Sequence, residues 1–80
     1  MDAVDRIKTI IEKEALTKDA LTLKTGISYT RWNTVINRRG KVRLEEIEAL
    51  GKAFPEYRFW LAFGEEMTEA GQVSPLAKGR

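Results

Sequence analysis

Tyr29, Thr30, Asn33, Thr34 and Asn37 are the side chains best equipped to meet a polar partner. They alternate with Trp32, Val35 and Ile36, whose i, i+3, i+4 spacing marks the buried face of a helix, so the polar set must look the other way. Each can donate and accept hydrogen bonds. Asn33 can meet N6 and N7 of an adenine with its two amide atoms, and Thr30 or Thr34 can offer a methyl group to thymine. Taken alone, such residues are the solvated side of a surface helix. Their setting argues for more. Lys18, Arg38, Arg39, Lys41 and Arg43 flank the helix at its approach and exit, suited to phosphates that fix register without reading sequence. Arg31, within the helix, suits a phosphate or a guanine edge. Ser28 is first of all an N-cap, and its hydroxyl is also within the expected phosphate-contact set.

The charge distribution supports a localised anionic partner. Residues 17–43 carry seven cations against Asp19, a net of +6, whereas residues 44–80 carry a net of −3 and the whole chain only +2. Eighty residues allow a single small domain. With no cysteine and no histidine, disulfides, thiolate metal sites, Ser-His-Asp and Cys-His catalysis and the usual neutral-pH proton shuttle are all excluded. No nucleophile–base pair or phosphate-cradling loop is evident, so no enzymatic activity and no cofactor are expected. No apolar run approaches a membrane span, and MDAVDRIK lacks the apolar core of a signal peptide. These features lead to the expectation of a cytoplasmic protein with no membrane partner.

The elements that would position these groups follow from the pattern. Val4, Ile7, Ile10 and Ile11 predict an amphipathic helix over residues 2–14, capped by Asp2, with Arg6 on its solvent side. Thr17 is a cap for a second helix over 18–25. Gly26 ends it, because only glycine takes a positive φ cheaply at that position. Ile27 drops inward, Ser28 caps a third helix over 28–37, and Gly40 marks a loop after it. Two short helices joined this tightly make a helix-turn-helix. A fourth helix over 43–53 is predicted with Leu44, Ile47, Leu50 and Phe54 inward and Glu45, Glu46 and Glu48 outward. Those glutamates read as complements to the helix dipole. Pro55 opens an aromatic-rich fifth helix over 56–63, closed by Gly64. Leu23 falls on the solvent side of its helix, and the residues after Gly64 show no periodicity.

At this point the chain resembles the DNA-binding domain of the Cro and lambda-repressor-like helix-turn-helix family. Leu21, Thr25, Gly26 and Ile27 match around the turn, with Trp32 and Val35 as core positions of the recognition helix. LEEIEALGKAFPEYRFWLAFGE is similar to the last two helices of phage-type repressors, where L-x-x-I-x-x-L precedes F-P-x-Y-x-x-W-L-x-x-G. Such motifs usually hold glutamine at the place of Lys18 and alanine at that of Thr22, whose hydroxyl therefore needs a partner. The resemblance implies repression of a phage or prophage control region by a Cro-sized protein or isolated regulator, without self-cleavage machinery.

The sequence therefore predicts an all-α, compact bundle of about five helices, with a helix-turn-helix in helices 2 and 3. Residues 1–64 form the domain, and 65–80 form an extended C-terminal tail. The expected partner is double-stranded DNA, bound by a homodimer whose contacts draw on Phe59, Phe63, Val73 and Leu76. The rival expectation is a protein-interaction module on the same fold, such as an antitoxin, anti-repressor or adaptor.

Overall fold

Asp2 begins the first helix as its sequence suggests. In the structure, a computed structural model that describes residues 1–77, its carboxylate accepts from the Asp5 N–H at 2.9 Å, and Asp5 reaches back to the Asp2 N–H at 3.3 Å. This reciprocal capping satisfies donors that the first turn leaves orphaned. The helix, α1, runs Ala3–Lys13. After it Ala15 takes a φ of +52°, and the Leu16 N–H returns to the Ile11 carbonyl at 2.9 Å. Next come α2, Lys18–Thr25, α3, Tyr29–Ile36, α4, Leu44–Ala53, and α5, Arg58–Phe63, the last preceded by a 3-10 turn over Pro55–Tyr57.

Thr25 ties the α2–α3 turn together. Its hydroxyl donates to the Leu21 carbonyl at 2.6 Å and accepts from the Ile27 N–H and the Trp32 indole N–H, at 3.2 and 2.9 Å. Gly26 has φ +74°, and a Cβ there would meet nothing within 4 Å, so conformational freedom is what this position demands. Ser28 caps α3 by accepting from the Arg31 N–H. Around Trp32 gather Ile7, Ile10, Leu21, Val35, Leu50, Tyr57 and Leu61, all fully buried. The Tyr57 hydroxyl, at the edge of this core, donates to Glu14 at 2.8 Å. The architecture is the expected one, an all-α bundle of five helices with the tight helix pair in second and third place.

Four expectations need correction. Leu44 is 72% exposed, because it stands at the first position of α4, ahead of the face that meets the core. Glu46 is fully buried rather than solvated. Arg6 is drawn across the molecule, donating from Nε to the Leu61 carbonyl at 2.9 Å, where a cation complements the end of α5. Finally, residues 65–77 are not an extended tail. Met67 pairs with Gln72 around a 3-10 turn at Thr68–Ala70. Gln72 donates to the Pro55 carbonyl and accepts from the Phe59 N–H, while the Val73 N–H donates to the Glu56 carbonyl. Ser74 and Pro75 are buried in consequence.

Candidate nucleic-acid interface

At about 100° per residue, α3 sets Tyr29, Asn33, Asn37, Thr30 and Thr34 in order around one side and Val35, Trp32 and Ile36 around the other. The division expected from spacing is present: Trp32 and Val35 are fully buried, while Tyr29, Thr30 and Asn37 are exposed and Asn33 and Thr34 half-exposed.

Lys18, the first residue of α2, borders one edge of this face. Its Nζ lies 2.5 Å from Asn33 Oδ1 and 5.7 Å from the centre of the Tyr29 ring. Asn37 Nδ2 donates to the same Asn33 oxygen at 3.2 Å. Both lone pairs of that oxygen are thus engaged, and the Asn33 NH2 is the part left to offer. The network presents donors: an ammonium and an amide NH2 side by side. Reading adenine through both amide atoms, as the sequence suggests, requires Lys18 or Asn37 to give way.

The loop after α3 borders the other edge. Gly40 lies so close to the helix that an added Cβ would come within 3.2 Å of the Thr34 methyl and 3.4 Å of Arg31. Thr34 also returns its hydroxyl to the Thr30 carbonyl at 3.0 Å. Its methyl group is therefore turned toward the loop, and Thr30 is the threonine left open for contact. Arg39 and Lys41 are exposed, and their charged ends have no partner among the described residues; Arg43 faces Glu45 at 3.6 Å with both side chains exposed.

Two cations of the expected phosphate-contact set are engaged within the chain. Arg31 donates to buried Glu46 and to the Lys41 carbonyl, which turns its guanidinium away from the polar face. Arg38, in a left-handed conformation at φ +57°, pairs with Asp2 at 2.8 Å and with Asp5, so it fastens the end of α3 to the start of α1. The Asp5 N–H, helped by Arg38, pulls the Asp2 carboxyl down from its ordinary 3.8 to about 2. The same pair raises Arg38 above its ordinary value. Ser28 is committed to its cap as an acceptor. The other cations of that set are divided between the two edges of the face: Lys18 bonds to Asn33, Arg43 faces Glu45, and Arg39 and Lys41 have no charged partner among the described residues.

The residues named for dimer contact are brought together only in part. Phe59 and Phe63 pack with their rings tilted and 5.0 Å apart, beside Ala62, Ala70 and Gln72, with Phe63 67% exposed. Leu76, 60% exposed, lies instead beside Thr9, Glu12 and Lys13 of α1. Val73 is half-buried against the core. Sequence reasoning missed Glu46 and Arg6. Glu46 accepts from the Arg43 N–H, but Arg43 stands where a capping box carries Ser, Thr, Asp or Asn, so no local signal marked either Glu46 or Arg6.

Fold and site together define a small all-α protein in which two short helices meet at a tight turn and the polar face of the second is bracketed by basic residues. No protein-family model matches the chain, and no curated protein matches it either. Among solved structures, Pf6r from the filamentous phage Pf6 of Pseudomonas aeruginosa PA01 superposes with a TM-score of 0.79. The two sequences are 41% identical, and the match covers 94% of this chain and 96% of Pf6r. This chain belongs to the same family as Pf6r. Among the described residues, no helix is long and apolar enough to cross a membrane.

Proposed function

We propose that the chain is a sequence-specific double-stranded-DNA-binding transcriptional regulator, a repressor of phage or prophage type, acting in the cytoplasm. The observation that carries this reading is the outward face of α3, with Thr30, Asn33 and Asn37 between Lys18 on one edge and Arg39, Lys41 and Arg43 on the other. An α-helix fits the major groove, where base edges carry a distinguishable pattern of donors and acceptors. Cations on both sides of such a helix meet the backbones that border the groove. The likeness to a phage protein supports the same reading. Repression requires no chemistry beyond occupying the site.

One copy reaches few base pairs, so useful specificity calls for two copies on a near-palindromic site. Phe63, with Phe59 beneath it, supplies the apolar surface for that pairing. Selecting bound sites from a random duplex library tests the function. Enrichment of one short motif, arranged as an inverted repeat, is expected. Recovery of duplexes with no shared motif contradicts sequence-specific recognition.

A further inference from the structure

Glu46 is fully buried at the third position of α4, and one of its oxygens, Oε1, collects three donors. Arg31 Nε and one terminal nitrogen reach it at 3.2 and 2.8 Å, and the Arg43 N–H reaches it at 2.9 Å. The same terminal nitrogen of Arg31 also donates to the Lys41 carbonyl at 2.6 Å. One guanidinium and one carboxylate thus link α3, two points of the loop that follows, and the start of α4.

This arrangement is poorly suited to stabilising the fold. Desolvating both charges offsets most of their attraction, and apolar replacements of buried ion pairs are often neutral or better. The second oxygen, Oε2, is buried without a partner among the described residues, which subtracts further. What the pair does supply is geometry. It fixes the backbone at Lys41 and Arg43, and with it the loop that bears Arg39, at a set offset from the outward face of α3.

We infer that Arg31 and Glu46 are positioning residues for DNA recognition: they hold the Arg39–Arg43 loop against the edge of α3, so that phosphates are gripped in register with the base edges the helix meets. The inference rests on the DNA-binding reading above. Arg31 acts from inside the protein and makes no contact with DNA. If Glu46 merely masked a DNA-binding arginine, removing its charge would free Arg31 and strengthen binding. Positioning gives the opposite sign.

The test compares the parent with Glu46→Gln and with the Arg31→Met, Glu46→Leu double variant, titrating operator and scrambled duplexes over a range of salt. Thermal unfolding is followed in parallel. The double variant conserves net charge and is expected to unfold near the parent's temperature. It should bind the operator at least about tenfold more weakly at fixed salt, with a log–log salt slope shallower by about 2, the loss of roughly two phosphate contacts. Glu46→Gln should shift both quantities in the same direction, and it keeps the inference testable should the double variant fail to fold. Tighter, steeper binding by Glu46→Gln would establish masking and overturn the inference. A double variant with the parent's affinity and slope would overturn it while leaving the DNA-binding reading intact. A parent that binds neither duplex would overturn both.

Discussion

On α2, Thr22 keeps a buried hydroxyl with no hydrogen-bond partner among the described residues. The sequence raises the question, because a hydroxyl that needs a partner occupies a position where the resemblance leads one to expect alanine. Such a group costs about 1–3 kcal/mol relative to a satisfied one. Valine has the same shape without the hydroxyl and a similar helix propensity. Thr22→Val should therefore stabilise the fold by about 1 kcal/mol, raising the melting temperature by about 4–8 °C for a domain of this size. An unchanged or lower melting temperature would mean that the hydroxyl finds a bond in solution. Asn33 is the counterpart on the outward face of α3. With its oxygen held by Lys18 and Asn37, it presents a donor, which suits guanine O6 or N7 or thymine O4.

Elements are held to one another by charge as well as by core. The clamp between α1 and α3 passes through Asp2, whose carboxyl is held near pKa 2, below its ordinary 3.8. A depressed carboxyl contributes stability in full above its unfolded value and loses it as pH falls through the folded one. Asp2→Asn keeps the helix cap but breaks the ion pair with Arg38. Above about pH 4 the variant should melt below the parent, and that gap should close as pH falls from about 4 to about 2. A gap that stays constant would show that Asp2 does not carry the charge effect. Helices, caps and turns were legible in the sequence because their signals are local: Asp2, Thr17, Gly26 and Ser28 all act within a few residues of their place. The outward face of α3 was legible for the same reason, once Trp32 and Val35 marked its inner side. The ion pairs of Arg31 with Glu46 and of Arg38 with Asp2 and Asp5 were not legible, because each joins residues 15 or more apart and a charged residue's type does not reveal which distant charge it meets. The folding back of residues 65–77 was hidden likewise, since Gln72 and Val73 bond to the 3-10 turn and the start of α5 rather than to each other.

For the molecule as a whole, the proposed function needs a bracketed helix and a pair of copies. Phe63 is exposed enough that Phe63→Glu should leave the melting temperature close to the parent's while weakening self-association by sedimentation, with or without DNA. If that variant associates like the parent, the contact lies elsewhere. With Arg31 and Arg38 engaged internally, about three to four phosphates per protomer remain for Lys18, Arg39, Lys41 and Arg43, giving a log–log salt slope of about −3 to −4. The most direct test of the central claim, that α3 reads base edges while the flanking cations hold the backbone, is one titration. Parent, Asn33→Ala and Arg39→Ala are each measured on the selected operator and on a scrambled duplex at one salt concentration. Asn33→Ala should cost about 1–3 kcal/mol on the operator and little on the scrambled duplex, shrinking the ratio between them. Arg39→Ala should weaken both by similar factors and leave the ratio nearly unchanged, since a phosphate lies under every sequence. An Asn33→Ala variant that keeps the parent's ratio would contradict the account, and the polar face of α3 would then be no more than a solvated surface.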